Sequence, residues 1–390
     1  MRIVVDVSPL SHERTGVGNY VRGSLLGIAE ASAGEDELVA FAPASARGRH
    51  EIESALDGVA AERRLPVLPA AHAFRTAWSR VGTPPLERFV GPVDVFHFSD
   101  WMYPPQRRGI RSTMIHDLVP IHHPEWVHAR TRRMHGAKYR HAAAACDVVM
   151  VNSRFTGDDV AATLGVDPAR IHVAHPGVEP FFSQDGPRHQ FERPYVLAVA
   201  TLEPRKNLAR LVEAYRLLDP DELALVVVGA AGWGEQPELD APGIVRLGYT
   251  PRDELPALYR GAAAYVYPSL FEGFGMPVAE AMACGTACVV SSHPSLDEVS
   301  GDAAVRVDPN DAEAMACGTP CVVSSHPSLD VACGDAAVRV DPDDPAAIAA
   351  GIERAVAERD ELAARGLAHV RRFTWLENGR AHLAAWRAAA

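Results

Sequence analysis

FEGFGMPVAE, residues 271–280, follows the short apolar run Ala264-Tyr265-Val266-Tyr267-Pro268 and leads into a helix-forming segment that reaches Cys284. That order reads as a strand, a turn and a helix. Gly273 and Gly275 are expected to let the turn take positive φ and come close to a ligand. Pro277 suits the first helical position, which would put Glu280 in the opening turn. Glu272 and Glu280 then bracket a helix N-terminus, where free amides and the macrodipole favour an anion. Carboxylates beside such a site can accept hydrogen bonds from the hydroxyls of a sugar or a ribose. Each glutamate taken singly also has a plainer reading, Glu280 as a dipole complement and Glu272 as a solvated loop residue.

Working outward, the same strand–turn–helix alternation runs through the chain. In the first half, strands are predicted at Ile3–Val7, Leu38–Ala42, Val93–Phe98, Ser112–His116, Asp147–Val151 and Ile171–Ala174. Helical stretches between them give the pattern of a parallel sheet covered on both faces. Thr15-Gly16-Val17-Gly18-Asn19-Tyr20 is a glycine turn opening a helix, without the third glycine of the dinucleotide fingerprint. In open α/β sheets ligands bind beyond the carboxyl ends of strands, which places His97, His116 and Asp117 where chemistry can occur. Pro176 to Pro194 reads as a linker. A second alternating unit begins at Tyr195–Val199, followed by Thr201-Leu202-Glu203-Pro204-Arg205-Lys206-Asn207-Leu208. Cations at a helix start are disfavoured by the dipole, and a bound diphosphate would remove that penalty for Arg205 and Lys206.

Residues Glu280–Asp311 recur as Glu313–Asp344 with five differences, among them Ala287/Pro320 and Asn310/Asp343. Two copies are too few for a solenoid, so this is a tandem duplication within one domain. The copies compete for one set of sheet positions. The first is expected to win because it alone follows the EGFG turn, leaving Ala312 to Asp344 as a bulge or an extra unit at the sheet edge.

Composition bounds the function. The chain has 390 residues, 47% hydrophobic and 23% charged, enough to bury more than one core. Against 38 Lys and Arg stand 50 Asp and Glu, a net charge of −12 that argues against nucleic-acid binding. A basic stretch from Arg107 to Arg140 could face an anionic acceptor or lipid headgroups, or simply be a solvated face. No signal peptide and no spanning apolar run is visible, so the expectation is a cytoplasmic protein with room for peripheral contact at the inner face of the membrane. Cys284, Cys288, Cys317 and Cys321 owe their symmetry to the duplication, and their spacing is not that of a zinc site, so no metal is assigned.

Together TGVGNY, IHDLVP, VNSRFT, TLEPRKN and YPSLFEGFGMPVAEAMACG resemble the retaining GT-B glycosyltransferases of family 4, a mannosyltransferase-like branch, along essentially the whole chain. The resemblance implies two facing Rossmann-like doubly wound parallel-sheet domains, 1–180 on the acceptor side and 194–365 binding the nucleotide sugar. Residues 366–390 would form a helix returning to the first domain. It implies that Glu280 binds the ribose, Glu272 the sugar hydroxyls, and Arg205 and Lys206 the diphosphate. Gly273, Phe274 and Gly275 would complete the donor turn. His116 would lie near the reacting carbon, and Gly16 and Gly18 would face the phosphates. Many relatives carry Gly-Arg where this chain has Ala200-Thr201, which puts one phosphate contact in doubt. The implied reaction moves a sugar, with mannose from GDP-mannose foremost, to a glycan or lipid-linked acceptor in polysaccharide or cell-envelope synthesis. It needs no cofactor beyond the nucleoside-diphosphate sugar donor and no metal. Two alternatives are a GT-B sugar-nucleotide epimerase and a non-catalytic sugar-nucleotide-binding protein inactivated by the duplication.

Overall fold

A computed structural model of the chain describes residues 1–12, 16–99, 103–216, 221, 223–232, 238–291, 293–301, 303–307 and 359–390. The chain divides into two units, Met1–Gly177 with Phe373–Ala390, and Val178–Arg372.

Unit 1 runs β1 (Arg2–Asp6), α1 (Gly16–Ser32), β2 (Glu37–Phe41), α2 (Ala46–Ala55), β3 (Glu62–Arg64), α3 (Ala71–Val81), α4 (Glu87–Val90) and β4 (Val95–Phe98). It continues with β5 (Ile110–Ile115), α5 (Val119–His122), α6 (Ala129–Ala145), β6 (Val148–Val151), α7 (Arg154–Leu164) and β7 (Ile171–Val173). The strand order is β3-β2-β1-β4-β5-β6-β7, and every pairing is parallel. Such a sheet is buried on both faces, which explains the continuous apolar runs: Val148 to Val151 are all buried. The order reverses between β1 and β4, and that switch point opens a crevice beyond the carboxyl ends of the strands.

The last helix, α13 (Trp375–Ala389), closes unit 1 by crossing α1. The crossing needs glycine: a Cβ on Gly27 would lie 1.7 Å from the Trp375 carbonyl oxygen, and one on Gly379 would lie 2.1 Å from Gly27. The tryptophans on α13 meet the partners their apolar character requires. Trp386 is fully buried and its indole donates to Ser112 Oγ at 2.8 Å, while Trp375 stands edge-on to Tyr20.

Unit 2 runs β8 (Tyr195–Val199), α8 (Leu208–Tyr215), β9 (Ala224–Val228), β10 (Ile244–Gly248), α9 (Leu255–Gly261) and β11 (Ala264–Tyr267). Then follow α10 (Met276–Ala283), β12 (Cys288–Ser291), α11 (Pro294–Ser300), β13 (Ala304–Val307) and α12 (Arg359–Val370). The order β10-β9-β8-β11-β12-β13 is again parallel throughout, with its switch point between β8 and β11. The first copy of the duplicated segment supplies the second half of α10 and all of β12, α11 and β13. The second copy, Glu313–Asp344, and the bulge or edge unit expected of it lie outside the described residues.

Two boundaries differ from the sequence reading. The segment read as a linker is fastened to unit 2, where Arg260 donates to the carbonyls of Ser183 and Pro187 at 2.9 and 2.8 Å. The return to unit 1 comes at Phe373, after α12 has packed on α10 and α11.

Candidate active site

The turn 271–280 sits at the switch point of unit 2, directly beyond β11. Its conformation rests on Gly275, which caps α10 in the left-handed region at φ 96°, where a Cβ would also lie 2.5 Å from Leu296 Cδ2. Gly273 was expected to share that role but is not among the positive-φ glycines. Helix α10 starts at Met276, so Pro277 takes its second position and Glu280 its fifth. Glu280 therefore lies beyond the opening turn, and the dipole-complement reading fails. It is a buried carboxylate, 3% exposed.

Glu272 is buried too, and one of its oxygens, Oε1, accepts three hydrogen bonds: from Lys206 Nζ at 2.6 Å, Arg205 Nη1 at 2.9 Å and Tyr267 OH at 3.1 Å. Burial pushes this carboxyl up, but the two cations outweigh it and hold the group at about 2. The Glu272 carbonyl accepts from Ser295 Oγ at 2.7 Å, which pins the turn to α11. Arg205 and Lys206 end a short 3-10 turn, Pro204–Lys206, with left-handed Asn207 (φ 57°) separating them from α8. Arg205 also pairs with Glu203 at 3.0 Å, and Lys206 donates to Tyr267 OH at 2.6 Å. The awkward position of two cations before a helix is thus balanced within the chain by two carboxylates. Burial lowers the Lys206 pKa, the neighbouring Arg205 lowers it further, and Glu272 restores part of the loss.

Glu280 Oε1 accepts from Arg252 Nη2 at 2.6 Å, and the guanidinium lies 5.0 Å from the Phe182 ring centre. Glu280 Oε2 has a long 3.5 Å contact with Tyr259 OH. Burial raises the Glu280 pKa and Arg252 pulls it back in part. Arg252, Tyr259 and Tyr267 escaped the sequence reading. Only an arginine four residues after a glycine (Gly248) and two tyrosines in otherwise apolar segments mark them, and such signals are too common to single out.

In unit 1, Gly16 opens α1, and a Cβ there would meet no atom within 4 Å. Gly18, the third residue of the same helix, is buried. His116 follows β5 directly, edge-on to Tyr20 at 5.0 Å, with its Nε2 buried and lacking a hydrogen-bond partner. Burial, reinforced by Lys138 and His135, lowers its pKa to about 3, so it is a neutral imidazole. Asp117, two residues before α5 begins, accepts from the Val119 amide at 3.1 Å. His97 is not beside His116 at the strand ends. It lies inside β4, bonded to Ser112 Oγ at 2.9 Å and edge-on to His382 of α13. The basic stretch Arg107–Arg140 divides: Arg107 and Arg108 precede β5 and donate their amides to Glu87, whereas Arg130, Arg132 and Arg133 open α6 after β5 has ended.

Among the described residues no cluster of His, Cys, Asp and Glu has metal-binding geometry, and no helix is long and apolar enough to cross a membrane. Comparison with known proteins gives concordant matches. Residues 183–313 match the family model "Glycosyl transferases group 1" and residues 16–180 match "Glycosyltransferase Family 4". The first match ends where the second copy of the duplication begins. The chain is 30% identical over 344 residues to O-antigen chain mannosyltransferase B of Escherichia coli, covering 80% of this chain and 87% of that protein. In fold it is similar to sucrose-phosphate synthase from Thermosynechococcus elongatus, at TM-score 0.64 and 17% identity over 100% of this chain and 99% of the other. It is also similar to Anabaena HepE in complex with UDP and glucose, at TM-score 0.65 and 15% identity over 100% of both chains.

Proposed function

Because the chain belongs to the group 1, family 4 glycosyltransferases and has their two parallel-sheet GT-B domains, we propose that it moves a hexosyl group, with retention, from a nucleoside-diphosphate sugar to a glycan or lipid-linked acceptor. The similarity to O-antigen chain mannosyltransferase B makes mannose from GDP-mannose the first donor to test. The observation that carries this reading is the cluster of the buried Glu272 and Lys206 with the partly buried Arg205 at the switch point of unit 2, with Glu280 on the helix that follows.

In this reading the bond between the anomeric carbon and the diphosphate oxygen breaks, and the acceptor oxygen bonds to that carbon from the same face. The acceptor proton passes to the departing diphosphate. Negative charge grows on that leaving group, and Arg205 and Lys206 stabilise it electrostatically. Glu272, held ionised at about 2, accepts from sugar hydroxyls and cannot serve as a general acid near neutrality. With three donors on one oxygen it is also a poor nucleophile, which favours same-face transfer over a covalent double displacement. Glu280 keeps Oε2 for the ribose while Arg252 holds Oε1. His116, neutral and with an unpartnered Nε2, is suited to a hydrogen bond with donor or acceptor.

The test is a thermal-shift panel of GDP, UDP, ADP and dTDP sugars, followed by transfer assays with the donor that stabilises most. An α-linked product from an α-linked donor is expected. Binding without turnover, donor turnover to an epimer without an acceptor, or trapping of a glycosyl group on Glu272 would each overturn part of the reading.

A further inference from the structure

One face of α13 is polar where it is buried. Asn378, His382 and Trp386 recur every four residues, so they share a face of the helix, and all three are buried in unit 1. A helix that only closed the unit would be served at least as well by leucine at the first two positions, because a buried hydrogen bond adds little net stability. Asn378 makes bonds that leucine could not. Its Nδ2 donates to the carbonyls of Ala174 and His175, just beyond β7, at 3.2 and 2.8 Å, and to Tyr20 OH at 3.2 Å. Carbonyls only accept, so the nitrogen of the amide, not its oxygen, must face them. The Tyr20 hydroxyl donates in turn to the Ala174 carbonyl at 3.2 Å, so its direction is fixed by one bond given and one received. Trp375, three residues before Asn378, stands edge-on to the same tyrosine, with ring centres 5.9 Å apart and planes at 77°. Tyr20 is thus held by α13 twice, at its hydroxyl and at its ring. That ring meets His116 at 5.0 Å and 83°, the edge-to-face geometry aromatic rings prefer. Satisfied polar networks rigidify what they touch, and this one ends on the imidazole whose Nε2 lacks a partner among the described residues.

We propose that Asn378 and Tyr20 are positioning residues for His116. Through the Asn378–Tyr20 hydrogen bond and the Tyr20 ring, the last helix sets the direction in which the imidazole meets donor or acceptor. Asn378 touches no reacting atom in this scheme and acts only through the tyrosine. Misdirecting a group that acts in the transition state costs rate more than ground-state binding, so the effect belongs in kcat. The role in transfer rests on the proposed function of His116; the orientation of its ring does not.

The experiment uses the full chain with isotope-labelled histidine, and the His116 Cε1–H resonance is identified by its loss in His116→Gln. Tyr20→Phe keeps the ring and removes both hydroxyl bonds, whereas Asn378→Leu keeps the volume and removes the donor. Each should move the His116 resonance and leave that of the exposed His189, in unit 2, in place. Activity is read as GDP release from GDP-mannose. In each variant kcat should fall about tenfold while KM for the donor changes by less than about twofold. The double variant should be no slower than either single one, because both substitutions cut the same hydrogen bond. Both losses should vanish when His116→Ala is already present. Losses that persist in the His116→Ala chain would show that α13 merely supports the fold and would overturn the proposal. An unmoved His116 resonance or an unchanged kcat in Tyr20→Phe would do the same. Should Asn378→Leu fail to fold by circular dichroism, Tyr20→Phe decides on the same criteria. Failure of the transferase reading looks different: the wild type releases no GDP, or His116→Ala releases it at the full rate. In that case a moved resonance leaves the orientation of His116 standing and removes only its part in transfer.

Discussion

The two switch-point crevices treat charge in opposite ways. In unit 2, Arg205, Lys206 and Arg252 all end on the carboxylates of Glu203, Glu272 and Glu280. In unit 1, the buried Asp6 is engaged by Ser8, the buried Lys138 donates to the carbonyls of Ser99 and Met114, and burial keeps His97 and His116 neutral. The contrast teaches that unit 2 is electrostatically complete before a ligand arrives, so a donor must share or exchange existing bonds. Unit 1 instead buries a neutral imidazole, His116, whose Nε2 has no hydrogen-bond partner among the described residues.

The strongest way to break the comparison is to remove the counter-ion in unit 2. Glu272→Gln leaves the buried Lys206 and the partly buried Arg205 facing a neutral amide, and the loss of folding stability should be about 3–5 kcal/mol by chemical denaturation. Replacing Lys206 by Met should instead leave stability closer to wild type, because Arg205 still neutralises Glu272, while transfer falls about 100- to 1,000-fold as for loss of one donor to developing charge. If Lys206→Met transfers sugar normally, the leaving-group role is wrong.

A smaller loss than that of Glu272→Gln, confined to unit 1, should follow Gly27→Val. The added atoms would meet the Trp375 carbonyl at a distance no rotamer relieves, so α13 must shift off α1. An overpacked contact of this kind costs about 1–3 kcal/mol or more. Trp386→Phe, which deletes the indole bond to Ser112, should cost about 1 kcal/mol in the same unit. Both are read by near-ultraviolet circular dichroism during unfolding.

Acid separates the units by a smaller, graded effect. Burial holds His97 well below 6.5, His116 at about 3 and His382 at about 4. Their folded pKa values lie below the unfolded one, so the unfolded chain binds more protons, and unit 1 loses stability as pH falls below about 6.5. Asp6 acts oppositely: its pKa is raised to about 6, so its protonation from pH 6 downward favours the folded state and offsets part of one histidine. Glu272 has a depressed pKa, so its contribution is complete above about 4.5 and fades as pH falls toward 2. Hydrogen exchange between pH 7 and 4.5 should therefore show unit 1 opening first. Simultaneous opening of both units would remove the distinction.

Much of this was legible in the sequence. Two parallel sheets followed from the alternation of apolar runs with helices, and residues 271–280 marked a candidate site because a glycine turn between an apolar run and a helix-forming segment reads as a strand-to-helix turn. What escaped was whatever lacked its own apolar signal. Strand β3 is Glu62-Arg63-Arg64 and pairs only at the sheet edge, where polar side chains are tolerated. His97 looked like a strand-end residue, but the pairing partner that buries it, α13, lies almost 300 residues later in the chain. The Glu280 partner Arg252 was equally hidden, since an ion pair across 28 positions leaves no local trace.

That partner gives the finest test of the comparison. If Arg252 keeps Glu280 ionised while leaving Oε2 for a ribose, then Arg252→Gln should weaken nucleotide binding about tenfold, the cost of one charge-assisted bond to a buried carboxylate. The loss should grow as pH falls, because burial already raises the Glu280 pKa and Arg252 is what opposes it. Tyr259→Phe should change affinity by less than about 0.5 kcal/mol, since a 3.5 Å contact is at the limit of a hydrogen bond and the ring keeps its packing against Phe182 and Tyr265. A large effect of Tyr259→Phe with none from Arg252→Gln would mean that Oε1 meets the ligand, and that the arginine must leave before a donor can bind.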